Sequence, residues 1–130
     1  MFVFGGYNKE VGTLNSIERV DLQASKRRIS LLEIKLPLPL RRCASIKISN
    51  SKLLILGGIT RLSKDSDAVY CFDIEGETNY SIEPLDKIDR CGAIDLPVII
   101  DSIGSLHLFV ENASGTSPPF RTVYSFLEYS

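Results

Sequence analysis

The chain places an apolar run ahead of a glycine pair twice, in "MFVFGGYN" and in "LLILGGIT", with Gly6 and Gly58 separated by 52 residues. Asp21 follows Gly6 by 15 residues in "SIERVDL", and Asp73 follows Gly58 by the same 15 in "AVYCFDI". Two features kept at one spacing in two places mark a structural repeat, which constrains the fold more than any single motif does. A weaker third copy follows. Phe109 in "SLHLFVEN" takes the place of Phe4 and Leu56, 53 residues after Leu56, while Val110 and Glu111 replace the glycines. "TVYSFLE" then aligns Val123, Tyr124 and Phe126 with Val69, Tyr70 and Phe72, and Leu127 stands where aspartate was. "RRCASIKI" and "DRCGAIDLPVII" precede the second and third apolar runs and put Cys43 and Cys91 48 residues apart. Elements that keep their order while loops change length are what a repeat requires.

The repeating elements have the character of β-strands. "FVF", "LLIL" and "LHLF" are short, apolar and bounded by Gly, Ser or Asn, which predicts strands buried on both faces. "VYCFDI" is rich in residues favoured on a pleated surface, and "SIERV" alternates less cleanly. "RISLLEI" and "YSIEPL" supply the next strands. Pro37 and Pro39 oppose a helix over residues 29–36. Asp21 and Asp73 are expected to open polar turns by accepting hydrogen bonds from nearby backbone N–H groups. Each glycine pair, Gly5-Gly6 and Gly57-Gly58, is expected to allow positive φ and close backbone approach, so that valine at Gly6 or Gly58 would strain the chain.

A phosphate-cradling role for "FGGYNKEVGT" is excluded by spacing, since neither the P-loop nor the dinucleotide pattern is present and no helix pattern follows. The 130 residues carry a formal charge of −1, which opposes a general electrostatic grip on nucleic acid. The basic run Lys26-Arg27-Arg28 is expected to be a solvated turn. No apolar stretch is long enough for a membrane-spanning helix, and the N-terminus lacks a secretory signal pattern. Cys43, Cys71 and Cys91 have neither metal-type spacing nor an even count, so a reducing, cytoplasmic setting is expected. His107, the sole histidine, lies inside "LHLF" and is expected to pack in a sheet. The pairs Asp65/Asp67 and Asp86/Asp89 are expected to be solvated loop carboxylates, and no cofactor or metal is expected.

The glycine pairs after apolar strands, the apolar-Asp steps Val20-Asp21 and Phe72-Asp73, and the period near 50 resemble the kelch repeat. The resemblance covers the whole chain. It departs from the pattern in having no Trp; Ile29 and Tyr80 are the nearest substitutes for the Trp that usually follows Asp. It implies an all-β fold of kelch-type β-propeller blades, about two and a half of them, with copies over about 1–40, 41–88 and 89–130. Such a count predicts an incomplete propeller: a segment of a larger one, an assembly of several chains, or an open stack of sheets whose exposed edges invite self-association.

The resemblance implies a non-catalytic protein–protein interaction module that binds another protein through loops at one end of the blades. The corresponding loops are Tyr7–Ser16, Thr60–Ser66, Leu36–Arg41 and Leu85–Asp89. Tyr7, Arg41 and Arg61 are the candidate contacts, because Tyr and Arg are enriched in interface hot spots. The alternative is a segment of a kelch-type enzyme acting on sugars, such as a sialic acid mutarotase.

Overall fold

The computed structural model describes residues 1–23 and 25–85 and, beyond them, the backbone of the strands Val98–Ile100, Ser105–Phe109 and Phe120–Ser125. Among the described residues it holds twelve β-strands and no helix. The first antiparallel sheet runs β1 (Phe2–Asn8), β2 (Gly12–Asp21) and β3 (Arg28–Leu31) in that order. The short strands β4 (Leu40–Arg41) and β7 (Ile59–Thr60) pair with each other. A four-stranded sheet joins β5 (Ala44–Lys47), β6 (Lys52–Leu56), β8 (Val69–Ile74) and β9 (Tyr80–Pro84) as consecutive antiparallel neighbours. The last sheet is β10 (Val98–Ile100), β11 (Ser105–Phe109) and β12 (Phe120–Ser125).

The repeat in the sequence is also a repeat in strand register. Phe4 lies opposite Ile17 as Leu56 lies opposite Val69, Val3 opposite Glu18 as Ile55 opposite Tyr70, and Phe2 opposite Arg19 as Leu54 opposite Cys71. In the last sheet Leu106 lies opposite Tyr124. The first two copies therefore share in their backbone pairing the translation seen in the residues, whereas in the third Phe109 lies opposite Phe120 rather than Val123.

The core lies between the first and the four-stranded sheets. Ile17, Leu36, Leu40, Ile55, Tyr70 and Phe72 form its buried centre, with Phe2 and Phe4 packed on it. Phe72 meets Phe2 and Phe4 edge-on, each at 5.2 Å between ring centres, and stacks on Tyr80 at 5.5 Å. Edge-to-face and offset stacks are the geometries that the aromatic quadrupole favours. On the other face of the four-stranded sheet Leu54, Leu56, Val69 and Cys71 are also buried. This two-sided burial is why "LLIL" has no polar alternation.

The structure corrects several sequence expectations. "FVF" is covered on one face only: Phe2 and Phe4 enter the core while Val3 is 40% exposed. The segment Tyr7–Ser16 is a tight hairpin rather than a long loop, with Tyr7 opposite Thr13 and Asn8 opposite Gly12. The Asn8 side-chain oxygen accepts from the N–H groups of Glu10 and Val11 at 2.7 and 3.3 Å, an Asx-type turn that closes the hairpin. Leu40 and Arg41, expected in a loop, form β4. Asp21 does accept a hydrogen bond from Gln23 N–H at 3.0 Å. Asp73, by contrast, lies inside β8, where Lys52 approaches it at 3.9 Å, and the turn beyond is organised by Glu75. Glu75 N–H donates to Asn79 O at 2.8 Å, and its carboxylate accepts from Asn79 and Ser81. "RISLLEI" is strand only over Arg28–Leu31. Cys91, the pair Asp86/Asp89 and most of the loop Leu85–Asp89 lie outside the described residues. His107 and Phe109 lie in β11.

Candidate functional site

The glycine pairs sit where strands leave the core. Gly5 and Gly6 have φ of 63° and 122°, and Gly57 and Gly58 have 69° and 93°. Side chains rarely adopt these values, and at two of the positions space is short as well. A Cβ on Gly5 would collide with the carbonyl oxygen of Leu40, and one on Gly58 would stand 2.9 Å from the carbonyl oxygen of Arg41 and 3.0 Å from Cys43 Cβ. The glycines thus let β1 and the chain after β6 press against the segment Leu40–Cys43. The register of β1 on β2 shifts between Phe4 and Gly6, the local irregularity a bulge makes.

This close approach gathers the three candidate contacts at one place. The Arg41 guanidinium carbon lies 5.4 Å from the centre of the Tyr7 ring, within cation–π range. Arg41 Nη2 also reaches Ser63 Oγ at 3.5 Å, while its Nε is enclosed and finds no acceptor among the described residues. Arg61 Nη2 donates to the Thr13 carbonyl at 3.1 Å, and Thr13 lies opposite Tyr7 in the hairpin. Tyr7, Arg41 and Arg61 therefore border one patch made from the β1–β2 hairpin, β4 and the loop after β7. Tyr7 is 59% exposed and Leu62, at the loop's tip, 78%. The loop is tied to its base by Ser66 N–H donating to Gly58 O at 2.9 Å, Lys64 N–H donating to Thr60 Oγ1 at 3.3 Å and Thr60 N–H donating to Lys64 O at 2.8 Å. Arg42 and Ser63, both beside the patch, hold positive φ of 56° and 59°.

Sequence reasoning missed Thr13 and Ser63, since nothing in their local spacing signals a contact made across three elements. It also missed a groove of about 720 Å³ between β3 with its continuation and the turn 75–79. Arg19 spans this groove, donating to Glu77 O at 3.0 Å and to the Tyr80 hydroxyl at 3.3 Å. The Asn8 to Gly12 hairpin was missed as well, because its polar residues are those of a loop and of a turn alike.

Burial, not partner charge, governs the shifted acids. It pushes the thiols of Cys43 and Cys71 up, with the charges of Asp73 and Glu83 adding to the effect at Cys71 and Lys52 opposing it. It raises the Tyr70 phenol too, helped by Asp67. Each group holds its proton more tightly folded than unfolded, so its contribution to stability is complete below the unfolded value and is lost as pH rises through the folded one. The urea midpoint is therefore expected to be insensitive to these groups up to about pH 8 and to fall above it. A midpoint rising between neutral pH and pH 10 would contradict this assignment.

Among the described residues no three His, Cys, Asp or Glu side chains gather as metal ligands would, and no helix is long and apolar enough to cross a membrane. Compared with known families and with curated proteins, the chain matches no family model and no curated protein. The fold defines an all-β protein of antiparallel sheets, two of which enclose a shared aromatic core.

Proposed function

We propose that the chain is a non-catalytic protein–protein interaction module built from kelch-type β-propeller blades, with the patch around Tyr7, Arg41 and Arg61 as its binding surface. The observation that carries this reading is the meeting of those three side chains at one end of the sheets. A four-stranded antiparallel sheet whose central pairing matches the register of the first three-stranded sheet supports the blade assignment. An exposed tyrosine with two arginines held in place supplies large contact area at modest ordering cost.

The test is the triple variant Tyr7→Ala/Arg41→Ala/Arg61→Ala. It is expected to lose at least tenfold in affinity for partners captured quantitatively by the unaltered chain, because each hot-spot truncation costs about 1–2 kcal/mol. Its melting temperature is expected to change little, since these side chains lie outside the core. A variant that captures the same partners equally well would overturn this surface. Turnover of sialic acid anomers by the unaltered chain would overturn the non-catalytic reading.

A further inference from the structure

We propose that β3 is a dimerisation edge, at which a second copy of this chain adds its own β3 antiparallel across a two-fold axis through Ser30. Edge strands are normally blunted. In the four-stranded sheet, β9 carries Glu83 and Pro84, and β5 is approached by β10. The outer side of β1 lies against β4, and its Phe4 carbonyl faces the Cys43 thiol at 3.8 Å. β3 carries one charge, Arg28, but neither a proline nor a covering strand: all four of its residues are exposed, and Ile29 and Leu31 are each 67% exposed.

The hydrogen-bond pattern shows which groups of β3 are open. Leu32 N–H donates to Ile17 O at 2.9 Å, and both backbone groups of Val20 are engaged with Met1 on the opposite side. Because bonded pairs alternate along an antiparallel ladder, Ser30 and Arg28 point their N–H and C=O groups toward β2. Ile29 and Leu31 point theirs outward. A two-fold axis at Ser30 sets Ile29 opposite the partner's Leu31 and Leu31 opposite the partner's Ile29, so all four open groups of each strand find partners. The same register continues to set Arg27 opposite the partner's Glu33, twice by symmetry, which gives the edge its charge complementarity. Arg27 and Glu33 are both exposed. Side chains of the added strand that point toward the core side enter the groove of about 720 Å³ beside Arg28 and Ser30. Those pointing the other way extend the apolar outer face of Val3, Ile29 and Leu31.

Sedimentation equilibrium of the whole chain over a wide concentration range tests this. A monomer–dimer equilibrium is expected. Leu31→Pro removes an outward N–H without touching the bonds to β2 and is expected to weaken the dimer about tenfold or more. Arg27→Glu and Glu33→Arg are each expected to weaken it about fivefold, since symmetry places like charges together twice. Combining the two reversals is expected to restore the wild-type constant, a recovery that general loss of folding could not produce. A chain that stays monomeric throughout, a dimer indifferent to Leu31→Pro, or a double reversal that fails to recover would each overturn the proposal.

Discussion

Alanine at Gly5 is expected to lower stability by about 3 kcal/mol or more, seen as a fall in melting temperature on the order of 10 °C for a chain of this size. Two costs combine. The residue must hold φ of 63°, which an L side chain occupies at a penalty of about 1–2 kcal/mol. Its Cβ must also displace the Leu40 carbonyl, and Leu40 is fully buried in the core, so the displacement is transmitted inward. Gly58→Val should act similarly through Arg41 O and Cys43. Gly6→Ala separates the two costs: its φ is 122°, yet a Cβ there meets nothing within 4 Å. It is expected to lose only the conformational part, about 1–3 kcal/mol for a φ beyond the left-handed helical region. Equal losses for Gly5→Ala and Gly6→Ala in thermal melts would show that close approach to Leu40 contributes nothing.

Truncation of Phe72 to alanine is expected to cost about 3–5 kcal/mol, enough to unfold a marginal domain at physiological temperature. The ring is fully buried and touches Phe2, Phe4 and Tyr80, so its removal leaves a cavity lined by three other rings. Part of the loss is the aromatic contacts themselves, at about 0.5–1.5 kcal/mol per pair beyond area burial. Because Phe2 and Phe4 belong to one sheet and Phe72 to another, the variant should uncouple the two sheets. Urea unfolding is expected to show a lower midpoint, and Val3→Ala on the open face is expected to change stability by under about 0.5 kcal/mol. A Phe72→Ala midpoint within error of wild type would place the main core elsewhere.

How much of this was legible beforehand differs by element. The strands "LLIL" and "VYCFDI" were readable because four-residue apolar runs bounded by turn residues leave few alternatives. The hairpin over Asn8 to Gly12 was hidden by its polar residues, although the Asn side chain that closes it was in plain view. The turn after β8 was assigned to Asp73, whereas Glu75 organises it, because either acid can bond a nearby N–H and only the strand's length selects between them. Tyr7, Arg41 and Arg61 could be chosen by residue type. Their proximity could not, since they are brought together by glycines that let separate segments close on one another.

The sequence by itself determined the repeat, its period and its β character, because these depend on spacing along the chain and on short-range sterics. Tertiary structure alone decided which repeated positions are buried. Val3 and Ile55 occupy the same place in their copies, yet Val3 is 40% exposed and Ile55 fully buried. Identical local chemistry meets different fates there because burial requires a second surface, and the first sheet lies over Ile55 while the face that carries Val3 is open. The same reason leaves β3 with an open edge although its repeat counterpart β9 ends in Glu83 and Pro84.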